Sequence, residues 1–384
     1  MSVTTADIAP YVSRAPMEAM PPPITMTGAL GWVRANLFSS PFNIVLTLIV
    51  ALLIAWTIPP LVKFLFIDAS WSGTDREACI ATPTRPEAGA CWAFVRERFA
   101  YFVYGSYPVA ERWRVDAFFA MLAIGVAWLL WLNAPRRDLG ALYFFVVLPI
   151  VSFVLLSGWR LIRLPVVETI YWGGMLVTIV VATVGIVVSL PLGILLALGR
   201  RSRMPAVKLF SVIFIEFVRG VPLITVLFMA SVMLPLFVPD NWSPDRLLRA
   251  LVGVAMFASA YMAEVVRAGL QAIPKGQYEG AMAVGLGYWQ MMRLIILPQA
   301  LKITIPNIVN QYIGLFKDTT LVSIVGIFDL LKTIEAARID PKWASPVTSA
   351  TGYAFAAIFY FVFCYGMARY ARNMEVRLAK GERR

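Results

Sequence analysis

The chain contains no histidine and only three cysteines, Cys79, Cys91 and Cys364. Without imidazole there is no His-based nucleophile–base relay, and three scattered thiols exclude a cysteine-rich metal site, so catalytic chemistry is not expected of this chain. Charge is scarce as well. Asp, Glu, Lys and Arg supply 15% of the 384 residues, against roughly 25% in a soluble domain. Also missing are a Gly-x-x-x-x-Gly-Lys-Ser/Thr string that would cradle phosphates and any internal repeat of the kind common in ion-driven secondary transporters. Apolar residues fill the space at 60% of the chain. They come in runs that approach or exceed the ~20 residues a bilayer-crossing helix needs.

The net charge of +12 does not read as a nucleic-acid surface, because the basic residues sit at the ends of apolar runs and are not interleaved with exposed aromatics. Arg200, Arg201, Arg203 and Lys208 follow one run, and Arg369, Arg372, Arg377, Lys380, Arg383 and Arg384 follow the last. The positive-inside bias assigns both clusters to the cytoplasm. Arg160 and Arg163 fall on the opposite side and run against that bias.

These patterns predict an all-α polytopic membrane protein of about eight transmembrane helices with both termini cytoplasmic. Residues 1–41, with Pro21, Pro22 and Pro23, read as a flexible cytoplasmic leader without the apolar core of a signal peptide. Residues 42–157 form an N-terminal extension of three spans, with Pro59 and Pro60 marking a kink or early end of the first. Its polar stretch 67–115 balances six acidic residues against six arginines and is expected in the periplasm. There Cys79 and Cys91 either join in a disulfide or remain ordinary thiols. Cys364, inside an apolar run, is expected simply to pack. Residues 158–384 carry five further spans near 168–198, 221–238, 248–269, 298–316 and 350–368. Met204 to Val238 is too long for one span, so its first half reads as an interfacial helix ending at Arg219, Gly220 and Pro222.

Within a cytoplasmic loop over 271–297 the chain turns polar. Pro274 suits a helix start, Gly285 and Gly287 break the helix, and Trp289, Met291, Met292, Leu294, Ile295 and Ile296 lead back toward the bilayer. Periodicity alone leaves two readings open, a membrane-surface hairpin and a helix pair that docks into another protein's groove. In the span that follows, Pro298 and Pro306 interrupt the helix, while Asn307, Asn310, Gln311, Gly314, Lys317 and Asp318 recur at helical spacing. This polar stripe either lines a substrate pathway, with Lys317 and Asp318 meeting an amino acid's two charges, or packs against a partner. Glu216 and Arg219, three apart, form a structural ion pair or part of the pathway; Glu264 and Arg267 at the same spacing read as a brace at the loop's root.

Residue order then carries a resemblance. Glu279, Ala281, Gly285, Ile295, Leu297 and Pro298 resemble the EAA signature of binding-protein-dependent ABC importers, with Gly280 standing where the family usually has its first alanine. The segments Phe214–Phe228, Ala260–Ala281 and Lys317–Leu331 are similar to those of the histidine/glutamine-type polar amino acid permeases. The three additional N-terminal spans resemble the membrane subunits of general L-amino acid importers. The resemblance implies a type I importer core whose loop, through Glu279, Gly280, Ala281, Gly285 and Pro298, couples to a separate ATPase. Glu279 would make the polar contact at the base of the coupling helix, Gly285 would permit the turn, and a close helix contact is expected to survive at Gly280. It also implies an ATPase dimer carrying the ATP and Mg, a second, homologous permease subunit, a periplasmic amino-acid-binding protein, and no cofactor on this chain.

Overall fold

The computed structural model describes residues 28–83, 86–131, 134–239 and 244–382. The leader expected over 1–41 lies outside the described residues as far as position 27. Two compact units divide at Ile67.

In the first unit, α1 (Gly28–Asn36) precedes α2 (Pro41–Val62). The start of α2 follows from local chemistry: the Ser40 hydroxyl accepts the Asn43 N–H at 3.2 Å and Pro41 occupies the first turn, where its missing N–H costs nothing. Pro59 and Pro60 sit inside the helix. Instead of ending it, they are followed by one π turn, Lys63–Ile67. Proline removes donors from the ladder, and a wider turn is one way to re-satisfy the backbone.

The second unit opens with a feature that composition concealed. Within the stretch read as a polar loop, Trp92–Tyr104 forms α3, which buries Ala93, Phe94, Val95 and Phe102. A disulfide joins Cys79 to Cys91, with Cα atoms 5.4 Å apart and both residues fully buried. The spans α4 (Trp113–Leu130) and the continuous run α5 (Arg137–Leu142), a π turn and α6 (Leu148–Ser157) follow. Next come the long α7 (Gly174–Arg200) and α8 (Pro205–Gly220), which meets the run of α9 (Leu223–Phe228), a π turn and α10 (Leu234–Phe237) at 105°. The break falls at Val221–Pro222, as the sequence suggests: proline gives no N–H to the ladder and disfavours the helical region for the residue before it, and Gly220 weakens the helix at the same place.

The chain continues through α11 (Arg246–Ala272), α12 (Lys275–Ala283), α13 (Tyr288–Met291), α14 (Leu297–Asp318), α15 (Leu330–Arg338) and α16 (Thr348–Glu382). Among the described residues seven helical runs are long and apolar enough to cross a membrane, and the bent pair makes an eighth if counted as one span.

Helix α7 organises this unit, being buried on every side from Leu176 to Thr183. Along it, three apolar clusters succeed one another. The first joins α3 to α15 around Trp343, the second centres on Val177, Val181 and Val254, and the third joins Leu196 and Ala197 to Met262, Val266 and Ile296. Close helix approach depends on small residues: a Cβ at Gly193 would fall 2.8 Å from Met262, and one at Gly269 would fall 2.7 Å from the Ala300 carbonyl. Phe316 on α14 meets Phe359, Tyr360 and Phe363 on α16 through ring contacts at 5.3–6.0 Å.

The Cys79–Cys91 segment is bonded to the far end of the chain. Arg76 N–H donates to Lys342 O at 2.8 Å, Cys91 N–H to Thr351 Oγ1 at 2.8 Å, and Arg98 pairs with Asp340. It forms a cap over α15 and the start of α16. At the α7–α15 junction, Asp329 is fully buried and accepts the N–H groups of Leu331 and Lys332 as helix cap. Burial pushes its carboxyl up to about 6.

Candidate functional site

The loop after α11 is a helix–turn–helix built by two glycines. Gly285 has φ of +77°; its N–H bonds to Met282 O at 2.9 Å and the Leu286 N–H to Ala281 O at 3.1 Å. That pair of bonds closes α12 as a Schellman motif, whose left-handed residue is glycine because any Cβ is strained there. Gly287 opens α13, its N–H bonded to Gln290 Oε1 at 3.2 Å. Tyr278 fixes the element from below: its hydroxyl donates to Leu270 O at 3.1 Å and accepts from Arg201 at 3.2 Å, with the guanidinium 5.7 Å over the ring. Gln299 donates to Gln277 at 3.1 Å.

The residues singled out in this loop divide by exposure. Ala281 is buried at 2% exposure, whereas Glu279, Gly280, Gly285 and Pro298 are exposed. One expectation goes unmet within this chain and one is corrected. A Cβ at Gly280 meets nothing within 4 Å, so the close helix contact expected there is not made within this chain. Nor does Pro298 begin the seventh span: the helix runs on from Tyr288 through a π turn, Met292–Ile296, which carries the proline within the first two positions of α14. Met282, Val284, Tyr288 and Trp289 are apolar and exposed around the turn.

At the loop's root, charges from three helices converge on Glu264. Arg200 of α7 lies 3.0 Å from it, Arg267 2.8 Å and Arg219 of α8 3.7 Å; Arg200 also reaches Glu216 at 2.7 Å. The Glu264–Arg267 brace forms as the spacing suggests. Glu216 and Arg219, however, do not pair with each other; each finds a partner on another helix, and Arg200 is the residue sequence reasoning missed. It reads there as one of a cytoplasmic basic cluster, and only tertiary packing brings it to two carboxylates.

The polar stripe on α14 also divides. A cavity of about 230 Å³ between α7, α11 and α14 is lined by Gln311, Gly314 and Asp318 together with Ser189, Tyr261 and Tyr312. Asn307, Asn310 and Lys317 are exposed and do not line it. The Tyr312 hydroxyl contacts Ile186 O at 3.5 Å. One carboxylate, one amide and several hydroxyls, walled by Phe257, Met262 and Leu315, suit a small zwitterion: Asp318 accepts from an ammonium, and hydroxyl and amide N–H groups donate to a carboxylate. The signal for Ser189, Tyr261 and Tyr312 was present as hydroxyl residues inside apolar runs. A single such residue, though, does not reveal which way it faces. Among the described residues no three His, Cys, Asp or Glu gather as metal ligands.

A polytopic helical bundle with a polar cavity within it, an exposed helix–glycine–helix on a charged base and no phosphate-binding loop of its own is the membrane component of a transporter powered by another subunit. The chain belongs to the family described as binding-protein-dependent transport system inner membrane component, whose family model matches residues 189–380. It is 50% identical over 353 residues to the inner membrane amino-acid ABC transporter permease protein YhdY of Escherichia coli K12, covering 92% of this chain and 94% of that protein. It is 40% identical to the glutamate/glutamine/aspartate/asparagine transport system permease protein BztC of Rhodobacter capsulatus, covering 97% and 99%. A solved structure described as an amino acid ABC transporter with histidines matches at 27% identity and a TM-score of 0.46, covering 53% of this chain and 92% of that one. The chain is thus a multi-pass inner-membrane permease subunit, not itself catalytic, and its class works with an ATPase and a binding protein.

Proposed function

We propose that this permease translocates amino acids into the cell, of the acidic and amide type named for the Rhodobacter relative, driven by a partner ATPase dimer that binds ATP and Mg. The observation that carries the reading is the 230 Å³ cavity, which sets Asp318, Gln311 and Tyr312 of α14 against Tyr261 of α11 and Ser189 of α7. The α12–α13 element is the coupling site, with Glu279 and the exposed apolar residues facing the ATPase and Gly285 setting the turn. Glu216 and Arg219 serve the charged base and not the substrate. Asn307, Asn310 and Lys317 belong to the exposed flank of α14, where a second, homologous and different permease chain completes the pathway. Residues 158–384 form the core and 42–157 the extension, with both termini cytoplasmic; the buried disulfide supports a periplasmic cap, since such bonds persist in oxidising compartments.

The test is uptake of labelled glutamate and glutamine by the complete transporter reconstituted with its binding protein. Asp318→Asn is expected to lower uptake at least about tenfold, the order of losing one charge-assisted bond, with binding-protein-stimulated ATP hydrolysis retained in part. Unchanged uptake by Asp318→Asn would remove the cavity from the pathway.

A further inference from the structure

A second cavity, larger than the one between α7, α11 and α14, lies away from the proposed transport site. About 640 Å³ in volume, it opens between α4, α6, α7 and α11, with Phe118, Leu156, Val180 and Leu251 among its walls. Its lining is overwhelmingly apolar, which does not suit a zwitterion, yet two buried donors within the lining lack partners: Ser152 Oγ and Trp172 Nε1, on side chains 7% and 6% exposed. Close-packed interiors do not keep a void of this size. An apolar cavity among membrane spans, supplied with isolated donors, asks for a long apolar ligand that carries a few acceptors.

A loop at one end of the cavity, outside the lining itself, carries basic charge. Ser157, Gly158, Val166 and Val167 line that end, and the Val167 N–H bonds to Ser157 O at 2.9 Å, closing a loop whose tip bears Arg160 and Arg163. Both arginines are exposed, and among the described residues neither forms an ion pair. These are the two arginines that run against the positive-inside bias. Trp159 and Leu161 beside them are exposed, as at a membrane interface. Of the acidic residues at this rim, Asp245 is already engaged, accepting from Thr169 at 2.7 Å and capping α11; Glu168 also lines the cavity. The loop is tied to the cap side of the bundle: Tyr107 donates to Leu156 O at 2.8 Å, and Gly105 bridges Trp172.

We propose that this cavity holds an acyl chain of an anionic glycerophospholipid from the leaflet on the disulfide's side, with the lipid phosphate against Arg160 and Arg163. Ser152 and Trp172 offer the donors that the ester carbonyls accept. The occupant comes from the bilayer, since the opening lies among membrane spans and the basic loop at its mouth matches a headgroup's charge. The lipid would wedge the α4–α6 pair against α7 and α11, the helices that also form the smaller cavity.

The experiment is native mass spectrometry of the complete transporter extracted from nanodiscs of mixed phosphatidylglycerol and phosphatidylethanolamine. A phosphatidylglycerol adduct, one per copy of this chain, is expected on the wild type. Arg160→Glu/Arg163→Glu should lower its occupancy about tenfold or more, given the ~1 kcal/mol that each basic residue contributes near an anionic surface. Leu248→Trp, which adds bulk at a partly exposed lining position without disturbing the core, should also displace it. Equal retention of phosphatidylethanolamine, an adduct unchanged in the double arginine variant, or no adduct on the wild type would each overturn the proposal. So would an efficient crosslink from a cysteine at position 248 to another protein helix, which would make the cavity a protein interface.

Discussion

Gly285 and Gly280 lie five residues apart and make opposite demands. Gly285 holds a left-handed backbone, so Gly285→Val should cost about 1–2 kcal/mol in the turn and uncouple uptake from ATP hydrolysis, measured as the ratio of the two rates. Gly280 is helical and faces open space. Gly280→Ala, which restores the residue usual in the family, should therefore raise thermal stability by up to ~1 kcal/mol of helix propensity and leave uptake near wild type. Loss of uptake without loss of stability would place a partner's backbone against that position. Asp329 makes a pH prediction. Its folded carboxyl holds a proton up to about 6, whereas the unfolded chain releases it near pH ~4. Between those values the folded state binds more protons, so stability from this group falls as pH rises from 4 to 6, by at most about 3 kcal/mol. Asp329→Asn keeps a capping oxygen, and the variant's Tm, followed by tryptophan fluorescence, should lose that slope.

At the scale of elements, α3 and its cap show where sequence reading ran out. The spans were legible because a long apolar run has few alternatives, and the α8 break was legible because Gly220 and Pro222 together disfavour a continuing helix. The α12–α13 turn was legible as well, since its glycines sit where a helix must reverse. Helix α3 was not: its apolar residues Phe94 and Phe102 are interleaved with Arg96, Glu97 and Arg98, and besides α7 the surfaces that bury it, α15, Trp343 and α16, come more than two hundred residues later. The Cys79–Cys91 bond closes that cap, so Cys79→Ser/Cys91→Ser should lose about 2–4 kcal/mol of stability and expose α3 to protease in spheroplasts. The charged base behaves as a second unit. Glu264 is 16% exposed and faces three guanidinium groups. Removing it by Glu264→Gln leaves those charges uncompensated, at a cost of about 1–3 kcal/mol after allowing for partial solvent screening. Thermal unfolding of the purified complex reads that loss.

For the whole molecule the question is orientation. A cysteine in place of exposed Met282 should react with an impermeant maleimide in inverted vesicles and not in spheroplasts, and one in place of exposed Ile80 should show the reverse. Reaction of both from one side would overturn the topology. Which α14 residues line the cavity was the least legible property at this scale. The α14 stripe was visible in sequence, but the division between Gln311 and Asp318 inside and Asn307, Asn310 and Lys317 outside depends on helix rotation, which neighbouring helices set.

The Cys91 N–H bond to Thr351 joins positions 260 residues apart, and that span sets an order of assembly. With the cap periplasmic, as proposed, its cysteines would cross the membrane early in synthesis, before the surfaces of α15 and α16 that enclose them are made. Until then α3 has α7 beside it but lacks the part of its packing that α15 and α16 supply. A chain arrested before α16 is therefore expected to leave the cap open to proteolysis, because residues made last complete the packing of residues made long before them.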